Sequence, residues 1–313
     1  MKLTRDEVAM LEGKYGYPVR KSMELLVALG EVYGARKMVK VTHSHFGHPL
    51  KSETIKAVVS YLEDLAGKGG KFVVTTTTQA LGADPLLWKE MGISDELHRD
   101  GEAFRQSCAK MGAFMCNTCT PYQVGHVPGL GEHIAWMESS AVIFSNSVLG
   151  ARTNREGGPT AIAAALTGRV PMYGYHLDEN RYGELKIIVT AKLDDSSDYA
   201  SLGYFVGEAA GDRVPVLVNI PSTVSWDQLK SLGAAAAASG SVALYHAVGV
   251  TPEAKTEENA FGPEKPRDSD IVEFSNKELR RVRERLSKAR DDKVDWVFFG
   301  CPHTSIGEIK EID

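Results

Sequence analysis

The chain has 313 residues, 43% of them hydrophobic, enough to bury one large core or two modest ones. Its formal net charge of -5, with basic residues interleaved among acidic ones, excludes the basic field that nucleic acid or an anionic membrane would require. The polar start Met1-Lys2-Leu3-Thr4-Arg5-Asp6-Glu7 carries no signal-peptide pattern, no apolar run is long enough to span a bilayer, and four cysteines are too few for a disulfide scaffold, so a reducing, cytoplasmic location is expected.

A helix is predicted at the start, with Thr4 as N-cap, Glu7 completing a capping box, Val8, Met10 and Leu11 as its apolar face, and Gly13 at its end. A second helix is predicted over 21–30. The period then shortens to two over 37–41, a strand that leads into Thr42-His43-Ser44-His45-Phe46-Gly47-His48. A helix over 55–65 and a strand over 71–74 follow, the strand ending in the polar run 75–79. A helical pattern through Phe104, Cys108 and Met111 marks Cys108 as a packing thiol. After it, a strand over 113–116 opens onto Cys116-Asn117-Thr118-Cys119.

An amphipathic helix over 138–149 runs into a glycine- and arginine-rich loop, and another helix starts near Pro159. Further strands are predicted over 214–220, 242–246 and 294–299, with a small-residue helix around 234–238 and a polar loop over 251–270. Ser275 and Glu278 form a capping box for a helix whose buried stripe is Leu279, Val282 and Leu286. Strands alternating with helices give an α/β fold with largely parallel sheets. A division into 1–200 and 201–313 is expected. The helix that begins near Thr304 has room for only about two turns, so the fold reads as truncated at the C-terminus or completed by another chain.

Several strands end in polar or reactive residues, and ligands of open α/β sheets collect at the carboxyl ends of strands. The spacing of Cys116 and Cys119, with Cys301 and His303 at another strand end, leaves several readings open. One is structural zinc on all four. The others are a dithiol redox pair, an iron–sulfur site using part of the set, and thiols that are merely buried. His43, His45 and His48 lie close together, and His43 and His45 share a face if the strand continues. In Gly150-Ala151-Arg152-Thr153-Asn154-Arg155-Glu156-Gly157-Gly158 the arginines suit a carboxylate or phosphate, although a salt-bridged surface connection would look similar. His176 with Asp178 or Glu179 is a candidate acid/base pair.

Taken in order, these motifs resemble the aconitase X family. The strongest parts are Thr118-Cys119-Thr120-Pro121-Tyr122, Gly131-Glu132-His133-Ile134-Ala135-Trp136, and Glu138-Ser139-Ser140-Ala141-Val142 running on through Asn146 to Gly158. Gly174-Tyr175-His176-Leu177-Asp178-Glu179-Asn180-Arg181 and Gly300-Cys301-Pro302-His303 complete the likeness.

The resemblance implies aconitase-like α/β/α layers and a dehydratase of a small hydroxy acid, with phosphomevalonate or cis-3-hydroxyproline among the family's substrates. It implies an iron–sulfur cluster or mononuclear iron on three cysteines, of which Cys119 and Cys301 are the first two and the third falls beyond Asp313. It also implies a small swivelling subunit or fused domain, missing from this chain, that carries a catalytic serine. Glu132, His133, Ser139 and His176 fall at catalytic positions. His45, Gly47, His48, Gln79, Asn146, Arg152 and Arg155 fall at substrate-contacting ones. Two loops depart from the family pattern: Gln79 stands where an Asn is usual, and Ser44-His45-Phe46-Gly47-His48-Pro49 replaces Ala-His followed by small residues. The rival reading is a non-enzymatic zinc-binding protein.

Overall fold

The structure, a computed structural model, describes residues 1–47, 52–79, 84–264, 266–288, 293–295 and 297–312. The chain forms two compact units: 1–128, 132–138 and 152–177 make the first, and 129–131, 139–151 and 178–313 the second. The chain thus enters the second unit for good at Asp178, where the sequence suggested residue 200. Among the described residues no helix is long and apolar enough to cross a membrane.

The first unit opens as its residues dictate. Thr4 caps α1 (Arg5–Leu11): its hydroxyl accepts the Glu7 N–H while the Glu7 carboxylate accepts the Thr4 N–H. Pro18 stands in the first turn of α2 (Tyr17–Val32), where a missing N–H costs nothing. Strand β1 (Met38–Lys40) ends there, and β2 (His43–Phe46) is a separate strand. The crossover α3 (Ser52–Gly67) leads to β3 (Thr75–Thr78), which lies parallel to β2 with His45 opposite Thr77. Helix α4 (Asp95–Met111) buries Phe104, Cys108 and Met111, as expected, and burial pushes the Cys108 thiol up. Strand β4 (Ala135–Trp136) adds on the other side of β2, so the sheet order is β3-β2-β4, all parallel.

Helix α5 (Ser139–Phe144) belongs to the second unit and continues into a widened turn over Ser145–Leu149, so only part of the helix expected over 138–149 is regular. In the first unit α6 (Gly158–Thr167) is buried along nearly its whole length, and β5 (Arg169–Pro171) pairs antiparallel with β1.

One predicted strand is displaced. Residues 71–74 bond outside the sheet, Phe72 N–H to Met111 O (2.9 Å) and Val73 N–H to Ala165 O (2.8 Å), and the polar run that follows is the strand. Threonine is β-branched and fits a pleated surface. Its buried hydroxyls also find partners here: Thr76 the Val74 carbonyl, Thr77 two imidazoles, Thr78 the Asn117 side chain. The strand expected over 113–116 is reduced to one bridge, Thr77 with Phe114.

The second unit is a parallel four-stranded sheet. Its elements are β6 (Leu185–Val189), α7 (Ser196–Ala210), β7 (Pro215–Val218), α8 (Trp226–Gly240), β8 (His246–Ala247), α9 (Glu257–Phe261), β9 (Ile271–Phe274), α10 (Asn276–Leu286) and α11 (Ile306–Ile312), with strand order β8-β7-β6-β9. The small-residue stretch of α8 is close-packed: a side chain at Gly240 would run into the Gly207 backbone of α7, and one at Gly203 into the Leu232 carbonyl. Buried Lys230 donates to the His303 carbonyl (3.1 Å) and pairs with Glu308, tying α11 to α8.

Three expectations fail in this unit. The loop expected over 251–270 contains α9, with Phe261 buried. Leu286 is half exposed, because it is the last residue of α10 and the buried stripe stops at Val282. The described part of 294–299 forms no strand; Val294, Val297, Phe298 and Phe299 are exposed and pair with no sheet edge.

Candidate active site

The carboxyl end of the first unit's sheet collects most of the chemistry. Beyond β2, the Gln79 N–H bonds Phe46 O (2.8 Å) and the Gln79 side chain lies against Gly47. A Cβ at Gly47 would sit 2.6 Å from that of Gln79, so the glycine makes room for the glutamine. The two residues expected at the substrate are therefore neighbours; His48 lies outside the described residues. Beyond β3, Thr118 N–H (3.2 Å) and Cys116 Sγ (3.5 Å) both bond the Thr78 carbonyl, which fixes the Cys116–Cys119 loop there. Cys119 is buried and Cys116 half-buried, its thiol pushed up by burial.

Beyond β4, Glu156 N–H bonds Trp136 O (3.0 Å), and α6 begins close by: a Cβ on Gly158 would touch Gly47 O and Met137 Sδ, each at 3.8 Å. The free N–H groups and positive dipole end of α6 thus sit at the same end of the sheet.

The arginine loop divides its residues. Arg152 runs alongside the segment before β4, donating its N–H to Glu132 O (2.8 Å) and accepting the Ile134 N–H (2.9 Å). It is half-buried, level with His133, whereas Arg155 is exposed further on. Between them Asn154 is buried and clamps the next loop, donating to Tyr173 O (3.1 Å) and accepting the Tyr175 N–H (2.9 Å).

Glu156 is one residue, with His126, that the sequence does not single out. It is buried, one oxygen accepts the Thr160 hydroxyl (2.6 Å), and the other has no hydrogen-bond partner among the described residues. Burial raises its pKa to about 7. Its only signal was a carboxylate between Arg155 and a Gly-Gly pair, which does not say which side chain turns inward.

The histidines gather more tightly than their spacing suggested. His43 and His45 do share a side, and both approach His126. The His43 and His126 ring centroids are 4.9 Å apart, and Thr77 Oγ1 lies 2.9 Å from His45 Nδ1 and 2.6 Å from His126 Nδ1. Burial lowers the pKa of His45 and of His126 to about 3; it lowers His43 as well, against the Glu132 carboxylate 3.7 Å away. Buried His176 meets His133, Nδ1 to Nδ1 at 2.9 Å, while Asp178 and Glu179, the carboxylates read with it, are exposed.

The remaining expected residues belong to the second unit. Ser139 is half-buried at the start of α5. Asn146 is fully buried with its amide engaged, donating to Ala243 O (2.9 Å) and accepting from Arg181 (3.4 Å). Arg181 is itself buried and paired with Glu253. Cys301 and His303 are exposed.

A parallel sheet whose carboxyl end carries a thiol loop, a buried carboxyl and a helix N-terminus, with an imidazole cluster along its strands, has the makings of an acid/base enzyme. Comparison with known proteins then gives the family. The model described as aconitase X first domain matches residues 1–179 and that of the aconitase X second domain residues 183–284. The phosphomevalonate dehydratase large subunit of Methanothermobacter thermautotrophicus is 44% identical, over 99% of this chain and 75% of its own. The cis-3-hydroxy-L-proline dehydratase of Hypocrea jecorina is 35% identical, over 100% of this chain and 52% of its own. The crystal structure of Thermococcus kodakaraensis aconitase X in its holo-form superposes with a TM-score of 0.87 at 40% identity, covering 100% of this chain and 76% of that one. The chain belongs to the aconitase X family, and it is a dehydratase of that type.

The zinc-protein alternative on Cys116, Cys119, Cys301 and His303 has no support, since these relatives are dehydratases. Among the described residues no three His, Cys, Asp or Glu side chains are placed together to hold a metal ion. In donor chemistry Cys119 and Cys301 fit an iron–sulfur centre, which thiolates hold. They are two donors, one in each unit, and so only part of such a set.

Proposed function

We propose that this chain is the large, catalytic part of a hydro-lyase that removes water from a small hydroxy acid, phosphomevalonate foremost and a hydroxyproline-like acid second. The observation that carries this reading is likeness along the whole chain: 44% identity to a phosphomevalonate dehydratase large subunit, against 35% and about half the partner's length for a hydroxyproline dehydratase. A small swivelling subunit or fused domain is its partner, and a reducing cytoplasm suits its four cysteines, none of them in a disulfide.

In this reading substrate sits at the carboxyl end of β3-β2-β4. Arg152 and Arg155, with the N-terminus of α6, hold its carboxylate or phosphate. His45, Gly47 and Gln79 shape the pocket around the rest. Glu132, His133, Ser139 and His176 are the candidates for moving protons, joined by Glu156. A carboxyl with a pKa of about 7 is half protonated near neutrality and can give or take a proton. Asn146, its amide already engaged, is assigned to holding Arg181. Cys119 and Cys301 would be among the thiolates that hold an iron–sulfur cluster or a mononuclear iron. When bound, that centre supplies a Lewis acid for the departing hydroxyl. The chain's own share is to take the proton from carbon, return one to the leaving oxygen, and keep bulk water out.

The test is a panel of hydroxy acids, phosphomevalonate and cis-3-hydroxyproline included, given to anaerobically purified protein loaded with iron and complemented with a small subunit. Mass spectrometry should find the phosphorylated acid converted to a species one water lighter. Iron-loaded, complemented protein that dehydrates none of them would refute the proposal.

A further inference from the structure

Three buried groups meet at one oxygen atom. Thr77 Oγ1 on β3 lies 2.9 Å from Nδ1 of His45 on β2 and 2.6 Å from Nδ1 of His126. All three residues are buried. Burial holds both imidazoles neutral, so each ring carries a single N–H. A hydroxyl has one proton to give, so two bare Nδ1 atoms cannot both be satisfied by it. Two Nδ1–H groups would both donate to the oxygen and leave its proton to point elsewhere. The Cys116 thiol also reaches this oxygen, but sulfur is a weak acceptor, and its own proton is directed at the Thr78 carbonyl 3.5 Å away. An imidazole nitrogen at hydrogen-bond distance is much the better acceptor. One ring then receives the hydroxyl proton while the other donates, to the oxygen or, for His45, also to the Thr77 carbonyl that it approaches.

We propose that Thr77 locks His45 and His126 into opposite neutral tautomers, one protonated at Nδ1 and the other at Nε2, and so makes a two-ended proton conduit. The proposal of a conduit rests on the dehydratase reading above; the tautomer lock does not. The far nitrogens, Nε2 of both rings, are buried and have no hydrogen-bond partner among the described residues. The lock makes one of them a donor and the other an acceptor.

A proton taken up at the bare Nε2 displaces the Nδ1 proton of that ring onto Thr77 Oγ1. The hydroxyl proton moves to Nδ1 of the other ring, and that ring releases the proton on its Nε2. One proton enters and one leaves, both tautomers exchange, and no charge stays in the buried site. Dehydration supplies both ends of the transfer: a proton removed from carbon, and a leaving hydroxyl that departs as water. At the His126 side stands His43, half-buried, with its Nδ1 3.7 Å from the Glu132 carboxylate. It is a route toward solvent. Trp136 lies against both rings, at 5.8 Å from His45 and 5.3 Å from His126, and shields them from water. Thr77 is a positioning residue, acting through the two histidines.

The experiment is 15N–1H NMR on protein labelled with 15N in its histidine rings, where protonated and bare ring nitrogens have distinct shifts; His45→Asn and His126→Asn assign the two signal pairs. One ring protonated at Nδ1 and the other at Nε2 is the expected result. The same tautomer in both overturns the lock. Thr77→Val keeps a β-branched shape without the hydroxyl and should release the fixed tautomers, while Thr77→Ser keeps them. Fixed opposite tautomers in Thr77→Val would also overturn the lock. In the complete, iron-loaded enzyme Thr77→Val should lower kcat on the order of a hundredfold and leave KM within about twofold, with Thr77→Ser restoring kcat. An unchanged kcat overturns the conduit. A wild type that dehydrates nothing refutes the function proposed above, and the NMR result still decides the lock.

Discussion

Glu156 gives the protein a pH signature near neutrality. Burial moves its carboxyl from an ordinary pKa of 4.5 to about 7, so the native state holds this proton more tightly than the unfolded chain does. The stability it contributes is full below about pH 4.5 and is lost as pH rises through about 7. At about 1.4 kcal/mol per tenfold change in proton affinity, that displacement amounts to on the order of 3 kcal/mol. Glu156→Gln keeps the shape, and an acceptor for the Thr160 hydroxyl, without the ionisation. The variant should therefore unfold close to wild type at about pH 5 and be more stable than wild type by up to about 3 kcal/mol at about pH 8. Urea titrations at those two pH values, followed by tryptophan fluorescence, measure the difference. Midpoints of wild type and variant that move in parallel with pH would show that Glu156 is ionised without penalty, and would remove the reason for assigning it a proton-transfer role.

Other perturbations test other parts of the fold and site. Asn154→Ala removes both bonds that hold the Tyr173–Tyr175 turn, and should cost about 1–3 kcal/mol in thermal unfolding. Arg181→Met leaves Glu253 with its charge and removes the bonds to Asn146 and Ala151; a loss of about 3–5 kcal/mol is expected, partly recovered by adding Glu253→Gln. Gly240→Ala drives a methyl into the Gly207 backbone, where nothing flexible can yield, so the protein should be recovered unfolded or aggregated. Cys119→Ser should purify anaerobically without iron while Cys116→Ser retains it, measured as iron and acid-labile sulfide per chain.

Helix termini were legible because their signals are local. The capping boxes of Thr4 with Glu7 and Ser275 with Glu278 form as read. The parallel α/β class followed from alternating elements. Strand positions were less legible where burial and polarity part company. Thr75–Thr78 looks like a loop in sequence, and becomes a buried strand only because His45, His126 and Asn117 supply partners for its hydroxyls from elsewhere in the chain. Residues 294–299 show the opposite case: an apolar run whose described part finds no sheet edge, which no local pattern reveals.

The candidate site divides in the same way. Gly47, Gln79 and Cys119 were readable as residues that follow strands. Glu156 and His126 were not, because their significance is burial beside particular neighbours. His176 was read with its sequence neighbours Asp178 and Glu179, but the fold brings it to His133. Asn146 sits in a motif of the family, yet its amide serves Arg181 and Ala243.

Reversible addition and loss of water at a hydroxyl-bearing carbon is the reaction expected of this enzyme. It is tested most directly by incubating phosphomevalonate with the iron-loaded, complemented enzyme in water enriched in 18O, and following both the unsaturated acid and the label in recovered substrate. The unsaturated acid should accumulate to equilibrium while 18O enters the substrate hydroxyl through the reverse reaction. Recovery of phosphomevalonate without label and without unsaturated product, from enzyme shown to carry its iron, would contradict it.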